Sequence, residues 1–237
     1  EEYNVDYYLI DGSIYGDLQN PFPKGVETSA KAKKELISAT LNDFEEMVKN
    51  PSDKSVYSPK LFNKYFKIYQ EHKYPYTLYL TTIERLVVLK EILKNPRKMI
   101  AISKSSSNND IFHSNMPDIA IFDKYTQKEG ISKVIRKKVS KDINTTFPVF
   151  DEFFKDLKFT IFYLRLADYK NVLKVELPYE ASMAEIEEIA SKLKKFSTNG
   201  YPYLLKKAHN DVVISDKNIK ELINIAKVRE KSGREML

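Results

Sequence analysis

Two short apolar runs that end on polar turns constrain this chain more than any other feature. Val5, Tyr7, Tyr8, Leu9 and Ile10 form the first, closed by Asp11-Gly12-Ser13. Lys98-Met99-Ile100-Ala101-Ile102-Ser103 forms the second, followed by Lys104 and the turn-forming Ser105-Ser106-Ser107-Asn108-Asn109. Such near-continuous runs predict strands buried on both faces of a sheet, and the carboxyl ends of strands are where open α/β sheets build ligand crevices. Between the two runs lie three helical patterns with a period of about 3.6 residues. They run from near Thr28 to Val48, from Pro59 to Gln70 and from Leu80 to Leu93, with breaks at Asn50-Pro51 and Asn95-Pro96.

Further along, strands cluster. Phe159–Leu166 and Val172–Leu177 read as antiparallel neighbours turning near Asp168, and Ser182-Met183-Ala184-Glu185 reads as a capping box opening a helix to about Phe196. A Gly200-Tyr201-Pro202-Tyr203 turn leads into Leu204–His209, and a last helix is predicted from Ser215 to Glu230. Helices alternating with strands early, and strands clustering later, predict one α/β domain over residues 1–237 built on a mixed sheet with flanking helices.

Composition narrows the chemistry. At 237 residues, 42% hydrophobic and 30% charged, the chain can bury a real core. It has no cysteine, which excludes disulfide scaffolds, thiolate zinc sites, iron–sulfur clusters and a cysteine nucleophile. No apolar run approaches the roughly 18 residues of a transmembrane helix. The Lys-rich, Cys-free composition fits a cytoplasmic protein of a thermophile. Walker, Gly-x-Gly-x-x-Gly and Gly-x-Ser-x-Gly motifs are all missing, which argues against nucleotide triphosphate hydrolysis and Rossmann redox chemistry. The net charge of +6 permits nucleic acid without demanding it.

The excess of base is localised. Lys124, Lys128, Lys133, Arg136, Lys137, Lys138 and Lys141 face only Glu129 in their stretch, an excess equal to that of the whole chain. Such a run is ordinarily a solvated face, with phosphate binding as the alternative. A second acid-free stretch, Ile189–His209, carries Lys192, Lys194, Lys195, Lys206 and Lys207 beside Tyr201 and Tyr203. Lysines interleaved with aromatic rings suit a nucleic-acid strand better, so Lys192, Lys194, Lys195, Tyr203, Lys206 and Lys207 are candidate DNA contacts.

Three other positions carry potential chemistry. Asp11 at a strand's carboxyl end is a hard oxygen donor for Mg²⁺ or Mn²⁺, although Asp-Gly is also a common turn dipeptide. His209 can join a metal shell, shuttle a proton or face phosphate, and can equally be a capping or packing residue. Lys104 sits just past a buried strand, where a lysine often only reaches out to water. His72 and His113 lie in polar loops and are expected at the surface.

Taken in order, VDYYLIDGS (Val5–Ser13), MIAISKS (Met99–Ser105), VLKVELP (Val172–Pro178) and GYPYLLKKAH (Gly200–His209) resemble the NurA nucleases of archaea and some bacteria, over nearly the whole chain. The resemblance implies an RNase H-like fold and a Mn²⁺-dependent nuclease, with Mg²⁺ as the alternative ion. It further implies single-strand endonuclease and 5′–3′ exonuclease activity in DNA end resection, on single- and double-stranded DNA. The partner it implies is a hexameric HerA-like translocase, and the expected assembly is a homodimer. Carried over residue by residue, it makes Asp11, His209 and Tyr201 metal-site residues, with Asp11, His209 and Lys104 as the catalytic set.

The family carries two Asp-Gly-Ser-like blocks with a metal-binding glutamate between them. Asp11 resembles the second, no other Asp-Gly occurs, and Glu84 is a poor substitute for the glutamate. Two-metal hydrolysis needs several carboxylates around cations about 3.5–4 Å apart. The expectation is therefore that the chain is the C-terminal part of a longer protein and is inactive or weak alone. A non-catalytic clamp that guides DNA into a translocase is the competing expectation.

Overall fold

In a computed structural model, the chain is described at residues 5–19, 38, 40–46, 49, 64, 76–142, 147 and 149–212. The two apolar runs are β1 (Tyr8–Asp11) and β2 (Met99–Ser103), paired in parallel with Asp11 opposite Ile102. The predicted antiparallel pair is β5 (Lys158–Arg165) with β6 (Leu173–Leu177), in register from Thr160↔Leu177 to Leu164↔Leu173. Two further strands, β3 (Gly130–Ile131) and β4 (Ile135–Lys138), both pair with β5. The sheet order is β1-β2-β6-β5-β3, with β4 also on β5, and every pairing except β1–β2 is antiparallel. This is the mixed α/β sheet the sequence predicts.

Side-chain alternation assigns each face its own core. On one face, Met99, Ala101, Phe159 and Ile161 pack under α1 (Ile14–Gln19) and α2 (Tyr76–Ile92), together with Phe44 from the helical residues 40–46. The short helices α4 (Val139–Asp142) and α5 (Asp151–Asp156) close that layer through Val139 and Phe154, following α3 (Asp118–Tyr125) in the chain. On the other face, Ile100, Ile102, Phe162, Val175 and Leu177 pack against α6 (Met183–Lys195), whose Ile186, Ile189, Ala190 and Leu193 are buried. Ser182 and Glu185 cap α6 reciprocally, as its sequence predicts. The hairpin of β7 (Ser197–Thr198) and β8 (Tyr201–Pro202) then leads into α7 (Tyr203–Val212) on this second face.

Three expectations change. β1 is not buried on both faces: none of Tyr8–Asp11 is fully buried and Tyr8 is 49% exposed, and among the described residues only β2 pairs with it. The turn before α7 is Asn199-Gly200, not Gly200–Tyr203. Both residues have positive φ (54° and 75°), the geometry of a two-residue type I′ hairpin. A side chain at 200 would also place its Cβ 2.5 Å from that of Lys170, so only glycine fits. Finally, part of the basic run is strand β4 rather than a solvated face. Lys137 pairs with Asp110 at 2.8 Å, Lys138 pairs with Asp156 at 2.9 Å, and Arg136 donates to the Ala181 carbonyl. The predicted helices at 28–48 and 59–70 are described only at 38, 40–46, 49 and 64, all helical. His72 and the helix at 215–230 lie outside the described residues.

Candidate metal centre

The parallel β1–β2 pair puts Asp11 and Lys104 at the carboxyl ends of adjacent strands. Asp11 shares a sheet face with Tyr7, Leu9 and Ile102, the face that carries α6 and α7. The Asn199-Gly200 turn holds Tyr201 on β8, and its phenol donates to Asp11 Oδ1 at 3.4 Å across 190 residues of sequence. His209, on α7, brings Nδ1 to 3.6 Å from Asp11 Oδ2. The Lys104 ammonium lies 4.2 Å above the Tyr201 ring. Asp11, Tyr201, His209 and Lys104 therefore form one cluster, drawn from both ends and the middle of the described chain.

This cluster is open to solvent. The Asp11 side chain is 39% exposed and that of His209 52%. Partial burial, followed by the neighbouring Asp11 charge, pushes the Tyr201 phenol up to about 12, so it stays a neutral donor at physiological pH. Nδ1 of His209 faces Asp11, which leaves Nε2 as the ring nitrogen for another ligand. Beside the cluster runs an apolar cleft of about 380 Å³ lined by Tyr7, Leu9, Leu193, Phe196, Pro202 and Leu204.

The candidate DNA contacts divide. Tyr203 opens α7 and is 52% exposed. Lys192, Lys194 and Lys195 occupy the last turn of α6. Lys192 pairs with Glu188 at 2.8 Å, and Lys194 pairs with Glu129 at 2.8 Å. The Lys195 ammonium is 5.9 Å from the Phe196 ring. On α7, Lys207 pairs with Asp211 at 3.1 Å, whereas Lys206 makes no ion pair among the described residues. The stretch without acids in sequence thus meets Glu188 and Asp211 just beyond its two ends, and Glu129 brought to it by the fold.

Glu176 and Lys174 had no part in the sequence reading beyond lying in VLKVELP. Both are buried on β6, 2.7 Å apart, and Glu176 reaches the turn that follows Asp11. Two charged residues alternating inside an apolar strand were the available signal. Glu84 is on α2, packed against the opposite face of the sheet from Asp11. His113 is exposed in a loop, as expected.

A family model described as the NurA domain matches residues 1–214. The chain belongs to the NurA family. Among NurA relatives, a probable DNA double-strand break repair nuclease from Methanocaldococcus jannaschii is 30% identical, over 100% of this chain and 62% of its own length. A DNA double-strand break repair nuclease NurA from Sulfurisphaera tokodaii is 31% identical, over 94% of this chain and 59% of its own length. The crystal structure of the NurA nuclease from Sulfolobus solfataricus superposes with a TM-score of 0.64 at 25% identity, covering 94% of this chain and 60% of that one. A crystal structure of NurA bound to dAMP and manganese shares the fold, with a TM-score of 0.59 at 17% identity. This chain spans about three-fifths of the length of the first three relatives. Among its described residues, no helix is long and apolar enough to cross a membrane.

Proposed function

We propose that this NurA-family chain supplies metal-binding residues to the active site of a Mn²⁺-dependent deoxyribonuclease acting in double-strand break repair. The observation that carries the reading is the convergence of Asp11, Tyr201 and His209 at the carboxyl end of β1. The RNase H-like label, the single- and double-stranded DNA substrates, the endonuclease and 5′–3′ exonuclease activities, the homodimer and the HerA-like translocase rest on the family resemblance, and the cytoplasmic location on the Lys-rich, Cys-free composition.

The donor chemistry fits a divalent cation. A carboxylate oxygen and an imidazole nitrogen suit Mn²⁺, and suit Mg²⁺ less well because of the nitrogen. Among the described residues no group of three or more His, Asp or Glu side chains could hold a metal. Asp11 and His209 would therefore hold one ion with water, phosphate or residues outside the described set completing its shell. Such an ion supplies Lewis-acid activation of the phosphate and of attacking water.

The chain's own residues then have distinct tasks. Tyr201 adds a long hydrogen bond from its neutral phenol to Asp11. His209 lends a ring nitrogen to the ion; the alternative role for it is to face the scissile phosphate. Lys104 offers an exposed ammonium at the same edge. Tyr203 and the lysines of α6 and α7 hold the strand, the ring by stacking and the ammonium groups by phosphate contact.

The test is cleavage of labelled single-stranded DNA with Mn²⁺ by the natural-length protein, its Asp11→Ala variant and its His209→Ala variant. Loss of cleavage with DNA binding retained supports the nuclease. Unchanged cleavage in both variants removes the site assignment. Binding without any cleavage by the parent replaces the nuclease with the DNA-guiding clamp.

A further inference from the structure

We propose that the buried pair Glu176–Lys174 positions Asp11 from behind, by clamping the turn that Asp11 enters. This inference rests on the reading of Asp11 as a metal ligand. β1 ends at Asp11, and the Gly12 amide still bonds across to the Ile102 carbonyl at 2.9 Å with φ of +142°. The chain then crosses from the α6–α7 face of the sheet to the α1 face. There the Ser13 hydroxyl donates to Glu176 Oε1 at 2.5 Å, and the Tyr15 amide donates to Oε2 at 2.9 Å. Ser13 Oγ in turn accepts from the Gly16 amide at 2.8 Å, closing the first turn of α1.

Glu176 is fully buried, and its Oε1 also receives the Lys174 ammonium at 2.7 Å. It lies on β6, one strand beyond β2, so its carboxylate must reach across β2 to meet β1's turn. The intervening residue in register with it is Ala101, whose single methyl leaves room for that crossing. An apolar pair at 174 and 176 would stabilise a core as well or better than this ion pair does. What it would lose is the directional grip on Ser13 and Tyr15.

The contacts to Asp11 itself are loose, 3.4 Å from Tyr201 and 3.6 Å from His209. Its place is therefore set by the backbone turn, and the turn is set by Glu176. Partners of this kind, one bond removed from a ligand, typically change metal affinity by about 10- to 100-fold when mutated. Glu176 and Lys174 act as positioning residues and do not touch the ion.

The test uses Mn²⁺ binding by electron paramagnetic resonance, with hydrogen exchange of the Gly12 amide as a readout that needs neither metal nor activity. Ser13→Ala is expected to weaken Mn²⁺ binding about 10-fold. It should also speed Gly12 exchange about fivefold, the loss of one cap-type bond. Ser13→Thr, which keeps the hydroxyl, should leave both within about twofold of the parent. Glu176→Gln combined with Ser13→Ala should be no worse than the worse single variant, because the two share one contact. Effects that multiply, Gly12 exchange unchanged in Ser13→Ala, or no rescue by threonine would each overturn the proposal. A parent that binds no Mn²⁺ removes the metal reading instead, and Gly12 exchange still decides whether Glu176 holds the turn. Should Glu176→Gln not fold, the alanine–threonine comparison at Ser13 decides alone.

Discussion

On one side of the turn at residues 11–15, Glu176 and Lys174 are buried and bonded at 2.5–2.9 Å, while on the other Asp11, Tyr201, His209 and Lys104 face solvent with contacts of 3.4 Å and beyond. Both are small charged clusters, and they flank the same turn. The buried cluster is closed: every carboxylate oxygen of Glu176 has a protein donor. The exposed cluster keeps coordination capacity in reserve, since neither Asp11 oxygen is held tightly and His209 Nδ1 stands 3.6 Å from Asp11 Oδ2. A closed cluster serves the fold, and an open one can serve a ligand.

Mutations should separate the two. Glu176→Ala leaves Lys174 as an uncompensated buried charge and should destabilise the chain by about 3–5 kcal/mol, measured by urea unfolding. Replacing both members with apolar residues should recover most of that stability while leaving the Ser13 turn loose; failure to recover would mean that shape rather than charge is what the site requires. Asp11→Asn should do the reverse. Stability should move by less than about 0.5 kcal/mol, while Mn²⁺-dependent cleavage by the natural-length protein falls on the order of 100-fold or more. A large loss of stability in Asp11→Asn would erase the distinction drawn between the clusters.

Acid offers a smaller probe of the buried side. Asp110 is partly buried, which raises its carboxyl, but hydrogen bonds from Lys137 and Asn108 outweigh burial and hold it below its ordinary 3.8. A carboxylate depressed by folding contributes stability above its unfolded pKa, and that contribution is lost as pH falls through the folded value. Asp110→Asn should thus cost about 1–2 kcal/mol at pH 7. The gap from the parent should close below pH about 4, as the unfolded carboxyl protonates and then the folded one. A gap independent of pH would assign Asp110 a packing role instead.

How much of this was legible beforehand depends on the range of the interaction. The α6 capping box, the β5–β6 pairing and the buried β2 follow from local pattern, and all are present. Asp11, Tyr201, His209 and Lys104 were singled out by residue type and family resemblance, and the fold brings them together. That β1 has β2 alone as a partner among the described residues was not legible, because an apolar run carries no mark of which of its sides is paired. The Asn199-Gly200 turn is legible in its Asn-Gly pair, which lies one residue before the expected Gly200–Tyr203 turn. Charge was read least well. Counting acids along Ile189–His209 gives none, yet Glu129 reaches Lys194 across 65 residues, a pairing only the tertiary fold creates.

That misreading makes the last and smallest prediction specific. Each lysine that neutralises a phosphate on a single strand should contribute about 0.7 to the slope of log affinity against log salt. Lys206 makes no ion pair among the described residues, whereas Lys194 would first have to leave Glu129. Breaking an exposed pair costs only about 0–1 kcal/mol, so Lys194 can still contribute, but its partner carboxylate then lies near the DNA and opposes it. Lys206→Ala should lower the slope by about 0.7, and Lys194→Ala should lower it by less, with protein stability unchanged in both. A Glu129→Gln variant sharpens the comparison: it should steepen the salt dependence in the parent and have no such effect once Lys194 is alanine. Equal slopes for Lys206→Ala and Lys194→Ala would mean that the fold's pairing of the α6 lysines has no bearing on how the strand is held.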